Sequence, residues 1–360
     1  MKKVETYAHG RVNLIGEHTD YNGGWVLPTA IPQKTVVRIE ETPGQNVELT
    51  ADPEEAGGLA RTASYRLGEE KATGAWSDYC QGATKLLRDQ GITLRGFRAS
   101  ITSTVPEGSG LSSSAALEIA FLKALREING FDLNDEALAK LGQRIENEFV
   151  GARVGIMDQM ACAFGRWGEA LFLDTQTMQH RQVRIPLGRA DLVVVNSGVK
   201  HRHSGGGYNQ RRQECEEACA ALGVASLREL HPAGVSRLEN LPDVLRRRAR
   251  HVITENVRVF ETVKAMEEGD LPAAGQLFYA SHASMRDDYE VSVPEVDLLV
   301  SLFGKEHGVY GARLTGGGFG GSVVALTQKD RGAELAAKVA ALYEERTGLK
   351  ATVLVPGRNA

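Results

Sequence analysis

Apolar positions recur along this chain with two periods, and segments of each kind alternate from one end to the other. Leu117, Phe121, Ala124 and Ile128 fall on one helical stripe and predict a helix that ends at about Gly130. Tyr79, Ala83 and Leu87 do the same for a helix over Trp76 to Arg88. Asn134 reads as the N-cap of the next helix, with Asp135 and Glu136 in its first turn and Leu138, Leu141, Ile145 and Phe149 along its apolar face. Gln210–Leu222 and Leu245–Glu268 complete the predicted helices. Strand patterns lie between them: Trp25-Val26-Leu27 ended by Pro28, Lys34–Glu40, the β-branched Phe97–Val105, the buried run Leu192–Asn196, Val309–Leu314 and Ser322–Leu326. This alternation predicts an α/β or α+β protein. No internal repeat and no low-complexity linker is visible, and the break expected between domains lies near Gly188, giving residues 1–188 and 189–360.

Three glycine-rich runs interrupt the pattern and carry the chemistry. Gly108-Ser-Gly-Leu-Ser-Ser-Ser-Ala-Ala116 stands between the Phe97 strand and the Leu117 helix. Small residues at a helix start let free N–H groups approach an anion, and the helix dipole favours negative charge there. The three hydroxyls of Ser112, Ser113 and Ser114 could cap the helix, contact phosphate or ligate Mg²⁺. Read alone, the run also fits a serine-capped helix after a turn. It lacks the lysine of a Walker A loop. Gly10-Arg-Val-Asn-Leu-Ile-Gly-Glu-His-Thr-Asp-Tyr-Asn-Gly-Gly24 packs a cation, two carboxylates, a histidine and a tyrosine into one turn-rich segment, which suits a site that reads hydroxyls. The third run is Gly311-Ala-Arg-Leu-Thr-Gly-Gly-Gly-Phe-Gly-Gly321.

Taken together, the three runs resemble the galactokinases of the GHMP sugar-kinase superfamily. The first-numbered run, Gly10–Gly24, resembles the galactokinase signature, Gly108–Ala116 the superfamily's phosphate loop, and Gly311–Gly321 its C-terminal glycine-rich loop. Trp76-Ser-Asp-Tyr79, Glu146-Asn-Glu-Phe149, Gly155-Ile-Met-Asp-Gln159, Tyr208-Asn-Gln-Arg-Arg212 and Ser281-His-Ala-Ser-Met-Arg-Asp-Asp288 extend the resemblance over essentially the whole chain. It implies a two-lobed GHMP kinase fold, with an N-terminal lobe like ribosomal protein S5 and a ferredoxin-like C-terminal lobe. It also implies ATP-dependent phosphorylation of galactose at the anomeric hydroxyl.

The same resemblance assigns roles. Asp158 matches the residue that accepts the hydroxyl proton, and Arg11 the cation that stabilises developing charge. Ser114 and Glu146 match the Mg²⁺ ligands, the hard-oxygen set this ion prefers. Gly108, Ser109, Gly110, Leu111, Ser112, Ser113 and Ser114 match the wrapping of the ATP phosphates, and Trp76 and Tyr79 the aromatic positions near adenine. Glu17, His18, Thr19, Asp20, Gly155 and Tyr208 match the sugar contacts. Ser204-Gly-Gly-Gly-Tyr208 departs from the family by its glycines, and is expected to be a loop that orders with sugar.

Composition narrows the alternatives. A net charge of −4 over 360 residues disfavours a nucleic-acid binder. No run approaches the ~20 apolar residues of a membrane span, and the first ten residues lack the apolar core of a signal peptide. Four cysteines do not make a secreted disulfide framework, so a reducing, cytoplasmic setting is expected; a monomer is expected as well. Gly316-x-Gly318-x-x-Gly321 has dinucleotide-fingerprint spacing, but a strand pattern follows it where that motif needs a helix. Cys215 with Cys219, and His201 with His203, lack a second ligand pair for zinc, and Arg246–Arg250 reads as a solvated helix face. There is no nucleophile elbow and no His-Glu-x-x-His. The remaining alternatives are a kinase of another sugar, such as N-acetylgalactosamine or arabinose, and a non-catalytic galactose sensor. The intact Ser112–Ala116 segment and Asp158 argue against the sensor.

Overall fold

A computed structural model describes residues 2–53, 61–199, 204–230 and 232–355. The chain begins with strands β1 (Lys3–Asn13), β2 (Trp25–Val26), β3 (Pro28–Glu41), β4 (Asn46–Pro53) and β5 (Arg61–Arg66), then α1 (Asp78–Asp89) and β6 (Phe97–Ser103). Helices α2 (Ser113–Asn129), α3 (Asp135–Arg144) and α4 (Met157–Phe164) follow, with a π-helical turn at Ile145–Val150. Next come β7 (Glu169–Asp174), β8 (His180–Arg184) and β9 (Ala190–Asn196). Helices α5 (Ser204–Leu222), α6 (Asp243–Glu268), α7 (Leu271–Asp287) and α8 (Pro294–Gly304) precede β10 (Val309–Thr315), β11 (Ser322–Gln328), α9 (Gly332–Thr347) and β12 (Thr352–Val355).

Contacts divide the chain into two compact units, 1–11 with 31–107 and 111–165, and 12–30 with 108–110 and 166–360. In the first, β3 carries β1 on one edge and pairs antiparallel with β6, β6 pairs parallel with β4, and β4 closes a hairpin with β5. Helix α2 buries Ile119, Phe121, Leu122 and Leu125, and Phe121 meets Phe97 of β6 with ring centroids 5.8 Å apart. Asn134 caps α3 as its sequence predicts, accepting from Ala137 N at 2.8 Å. Gly130 ends α2 in the left-handed region at φ 72°.

In the second unit, β9, β10, β11 and β12 form an antiparallel sheet in the order β10-β11-β9-β12. Strand, helices, two strands, helix, strand in that spatial order is the ferredoxin-like arrangement. Its core includes Val193, Val195, Leu299, Phe303, Leu314, Val323 and Val339. β2 and β8 pair with β7 in the same unit.

Two features differ from the sequence reading. The chain crosses between the two units five times, at 11/12, 30/31, 107/108, 110/111 and 165/166, rather than dividing once; after the last crossing β7 pairs with β2 of the second unit. Helix α5 starts at Ser204, six residues before Gln210, so the glycine run is helical and not a loop. Helix propagation onto an existing nucleus is cheap enough to carry glycines. A side chain is also excluded at Gly207, where a Cβ would come within 2.6 Å of the Phe319 ring. The pair His201 and His203 lies outside the described residues.

Candidate functional site

In the first unit, a strand end, a helix start and a π-helical turn bring Arg11, Asp158, Ser112, Ser114 and Glu146 together. Arg11, at the end of this unit's part of β1, lies side-on to Asp158, with Nε to Oδ1 at 2.9 Å and Nη2 to Oδ2 at 2.8 Å. The guanidinium side chain is 5% exposed and the carboxylate 31% exposed, so Arg11 backs Asp158 and leaves it an open face. Asp158 sits in the first turn of α4 but does not cap it. Ser112 is left-handed at φ 59° and does not cap α2 either. Its hydroxyl donates to Asp158 Oδ2 at 2.5 Å. The serine-cap reading of this run is therefore replaced by one in which Ser112 is aimed at the carboxylate.

Ser114 Oγ donates to Glu146 Oε1 at 2.9 Å. Glu146 lies in the π-helical turn, a feature often found at functional sites, and is buried. Burial, and then the nearby charge of Asp158, push its carboxyl up to about 7. Gln159 Nε2 donates to the same Oε1 at 3.3 Å and to Glu118 Oε2 at 3.2 Å. Glu118 is fully buried in α2, and burial followed by the charge of Glu146 raises its pKa well above the usual carboxylate range. Sequence reasoning missed Glu118 and Gln159. The available signal was a carboxylate one turn after Ser114, inside the apolar run Ala115–Leu122 of α2.

This cluster suits a divalent cation. Hard oxygens from Ser114 and Glu146 stand beside a second carboxylate, and the charge of Asp158 adds to burial in raising the Glu146 carboxyl. Among the described residues no group of three or more His, Cys, Asp or Glu could hold a metal unaided. Two protein oxygens, completed by phosphates and water, match the way Mg²⁺ is held at nucleotide sites. Trp76 and Tyr79 are both half-buried in this unit. The Arg61 guanidinium lies 5.8 Å from the Trp76 ring centroid. Burial and the charge of Glu146 raise the Tyr79 hydroxyl. Gly155 is buried just ahead of α4.

In the second unit the segment from Gly16 to Gly24 folds against α6, α7 and the loop after β10. Glu17 Oε1 accepts from Gly316 N at 2.8 Å and faces Arg313 Nη1 at 3.5 Å. Arg313 also approaches Glu255, whose carboxyl falls to about 2 because Arg258, His251 and Arg313 outweigh burial. His18 is buried, and its ring lies 5.3 Å from that of Tyr208 and 4.8 Å from that of Tyr289. Burial, then the neighbouring His251, lower its pKa to about 3. Asp20 is half-buried.

Thr19 departs from its assignment as a sugar contact. It is 0% exposed, and its hydroxyl donates to Gly16 O and Trp25 O at 2.8 and 2.7 Å. It closes the turn and has no surface for a ligand. The start of the phosphate loop is anchored here too, Ser109 O accepting from Ser322 Oγ at 2.6 Å. A Cβ on Gly316 would meet Gly110 O at 3.1 Å, so the third glycine run approaches the phosphate loop at its bare backbone. Gly316–Gly321 connects antiparallel β10 and β11, and no helix follows it. Arg313, Glu255, His251 and Tyr289 were not legible as site residues, because each reaches the cluster from a distant element.

Comparison with known proteins identifies the family. The models of the GHMP kinases N terminal domain and GHMP kinases C terminal match residues 78–166 and 262–345, the class that the fold and phosphate loop define. The galactokinase galactose-binding signature matches residues 3–40. A galactokinase of Thermotoga neapolitana is 41% identical over 350 residues, covering 96% of this chain and 95% of the relative. One from Streptomyces coelicolor is 44% identical over 331 residues, covering 89% and 84%. The crystal structure of Lactococcus lactis galactokinase complexed with galactose superimposes with a TM-score of 0.91 at 34% identity, covering 99% of this chain and 94% of that one. Methanococcus jannaschii mevalonate kinase, at 21% identity and a TM-score of 0.66, shares the fold. The chain belongs to the galactokinase family of the GHMP kinases.

Proposed function

We propose that the protein transfers the γ-phosphoryl group of ATP to the anomeric hydroxyl of galactose, giving α-D-galactose 1-phosphate and ADP. The observation that carries this reading is the Arg11–Asp158–Ser112 triad at the start of the helix that follows Gly155. Phosphoryl transfer needs an acceptor hydroxyl in line, charge neutralisation and a home for the hydroxyl proton. Asp158 takes that proton on its open carboxylate face. Arg11 fixes the carboxylate plane and stabilises the charge that develops on the transferring group. Ser112 holds Oδ2, which leaves the remaining lone pairs of Asp158 for the hydroxyl.

The phosphate loop, Gly108–Ser114, cradles the triphosphate with backbone N–H groups, and Trp76 and Tyr79 flank the adenine. Ser114 and Glu146 would hold Mg²⁺, which when bound neutralises phosphate charge. Glu17, His18, Asp20 and Tyr208 of the second unit read the sugar hydroxyls. Release of ADP from ATP across a panel of hexoses and pentoses tests the reading. Galactose should react fastest with phosphate on O1. Phosphate on O6, or rapid turnover of another sugar with none of galactose, would refute it.

A further inference from the structure

Gln159 places one amide nitrogen between two carboxyl groups. Its Nε2 donates to Glu118 Oε2 at 3.2 Å and to Glu146 Oε1 at 3.3 Å, which uses both amide protons. Turning the amide over would set its oxygen against Glu146 Oε1, which Ser114 already holds as an acceptor. The arrangement leaves Gln159 Oε1 and Glu118 Oε1 buried with no hydrogen-bond partner. An unpartnered buried polar atom is destabilising, so stability alone does not account for Gln159. Gly142 makes room for it. This glycine lies inside α3, where glycine is a poor helix former. A Cβ there would come within 3.0 Å of Gln159 Cγ and 3.2 Å of Glu118 Oε2.

Glu146 Oε1 therefore accepts twice, from Gln159 and from Ser114, while among the described residues no donor reaches Oε2. Ser114, as a donor, keeps its oxygen lone pairs. We infer that Gln159 is a positioning residue for Glu146: it fixes Oε1, leaves Oε2 as the oxygen a divalent cation takes, and is itself anchored by Glu118. This rests on the reading that Ser114 and Glu146 hold Mg²⁺. A carboxylate without that hold is free to turn, and ordering it as the cation arrives lowers affinity. Gln159 directly follows Asp158 in α4. One turn of that helix thus carries the proton acceptor and the residue that sets the metal ligand.

Calorimetric titration of ATP into the full chain, with Mg²⁺ and again with EDTA, tests this without turnover, since no sugar is present. The quantity read is the factor by which Mg²⁺ tightens ATP binding. Glu146→Gln should reduce it. Gln159→Leu, which removes both donors, should reduce it roughly 10-fold, the low end of the range for residues that orient a metal ligand. ATP affinity in EDTA should not move. Glu118→Gln keeps an acceptor oxygen for Gln159 and should stay near the parent, whereas Glu118→Leu should follow Gln159→Leu. Gly142→Ala keeps every polar group but crowds Gln159. It should reduce the factor less, and it serves if Gln159→Leu does not fold. A Gln159→Leu variant that melts lower but keeps the parent's factor would overturn the inference, since that is a packing role. So would a loss in Glu118→Gln as large as in Glu118→Leu. Failure of the metal reading itself would show separately, as a Glu146→Gln variant that keeps the parent's factor, and the inference would fall with it.

Discussion

The two units bury polar groups in opposite ways. In the first, Asp158 has Arg11, but among the described residues Glu146 and Glu118 form no ion pair; burial drives both their pKa values upward, aided by the charge of Asp158 on Glu146 and of Glu146 on Glu118. In the second, the charges are matched, with Arg313 between Glu17 and Glu255 and Arg258 on Glu255. The histidines there are neutral, each donating to a backbone carbonyl. A cluster short of positive charge is held ready for a cation, and for the phosphates that come with it. A cluster whose opposite charges are already paired is stiff, and stiffness is what discrimination between hydroxyl arrangements requires. The contrast implies that chemistry and sugar choice can be damaged separately.

The largest separation should come from Asp158→Asn. Asparagine keeps the shape but cannot take the proton, so kcat should fall roughly 10²- to 10⁴-fold. Thermal melting and ATP affinity should match the parent, and a near-parental kcat would remove Asp158 from the mechanism. Next come Ser114→Ala and Glu146→Gln, which should act through the metal. The Mg²⁺ concentration for half-maximal rate should rise about 10- to 100-fold, with the KM for galactose unmoved. Saturation curves that overlay the parent's would break the metal assignment.

In the second unit, Tyr208→Phe removes a hydroxyl from the ring beside His18. An unpaired partner costs about 1–3 kcal/mol, so kcat/KM for galactose should drop roughly 5- to 150-fold relative to glucose, with ATP kinetics unchanged. An unaltered galactose-to-glucose ratio would make Tyr208 a packing residue.

Much of this architecture can be read from the sequence. The helices α2, α3 and α6 and the strands β9 to β11 carry strong periodicity, and caps such as Asn134 and Gly130 mark their ends. The site runs are visible because glycine and polar residues crowd where no core can form. What the sequence hides is pairing across distance. Arg11 meets Asp158 147 positions away, and Glu17 meets the Gly316 amide 299 positions away. Nothing local announces either bond. Thr19 looked like a sugar contact because its neighbours in sequence do, yet its turn points it inward. The glycines before Tyr208 mislead for a different reason: tertiary contact with Phe319 overrides their low helix propensity. The β4 strand alternates plainly, with Val47, Leu49 and Ala51 inward, although the strand patterns singled out above omit it.

The smallest expected effect is on stability against pH. His251 falls from an unfolded value near 6.5 to about 4, chiefly by burial. Between those values the unfolded chain binds more protons, so this contribution is full above pH 6.5 and is lost as pH falls toward 4. At pH 5 the loss is about 2 kcal/mol. Denaturant unfolding at pH 7 and pH 5 should show a smaller difference in His251→Gln than in the parent by about that amount. An equal difference would mean that the ring titrates normally.

Calorimetric titration of galactose into Asp158→Asn tests the separation of chemistry from sugar choice most directly. If the second unit selects the sugar, the inactive variant should bind galactose within about threefold of the parent, because a group acting on the transition state leaves ground-state affinity nearly intact. Galactose affinity that collapses together with kcat would contradict the account.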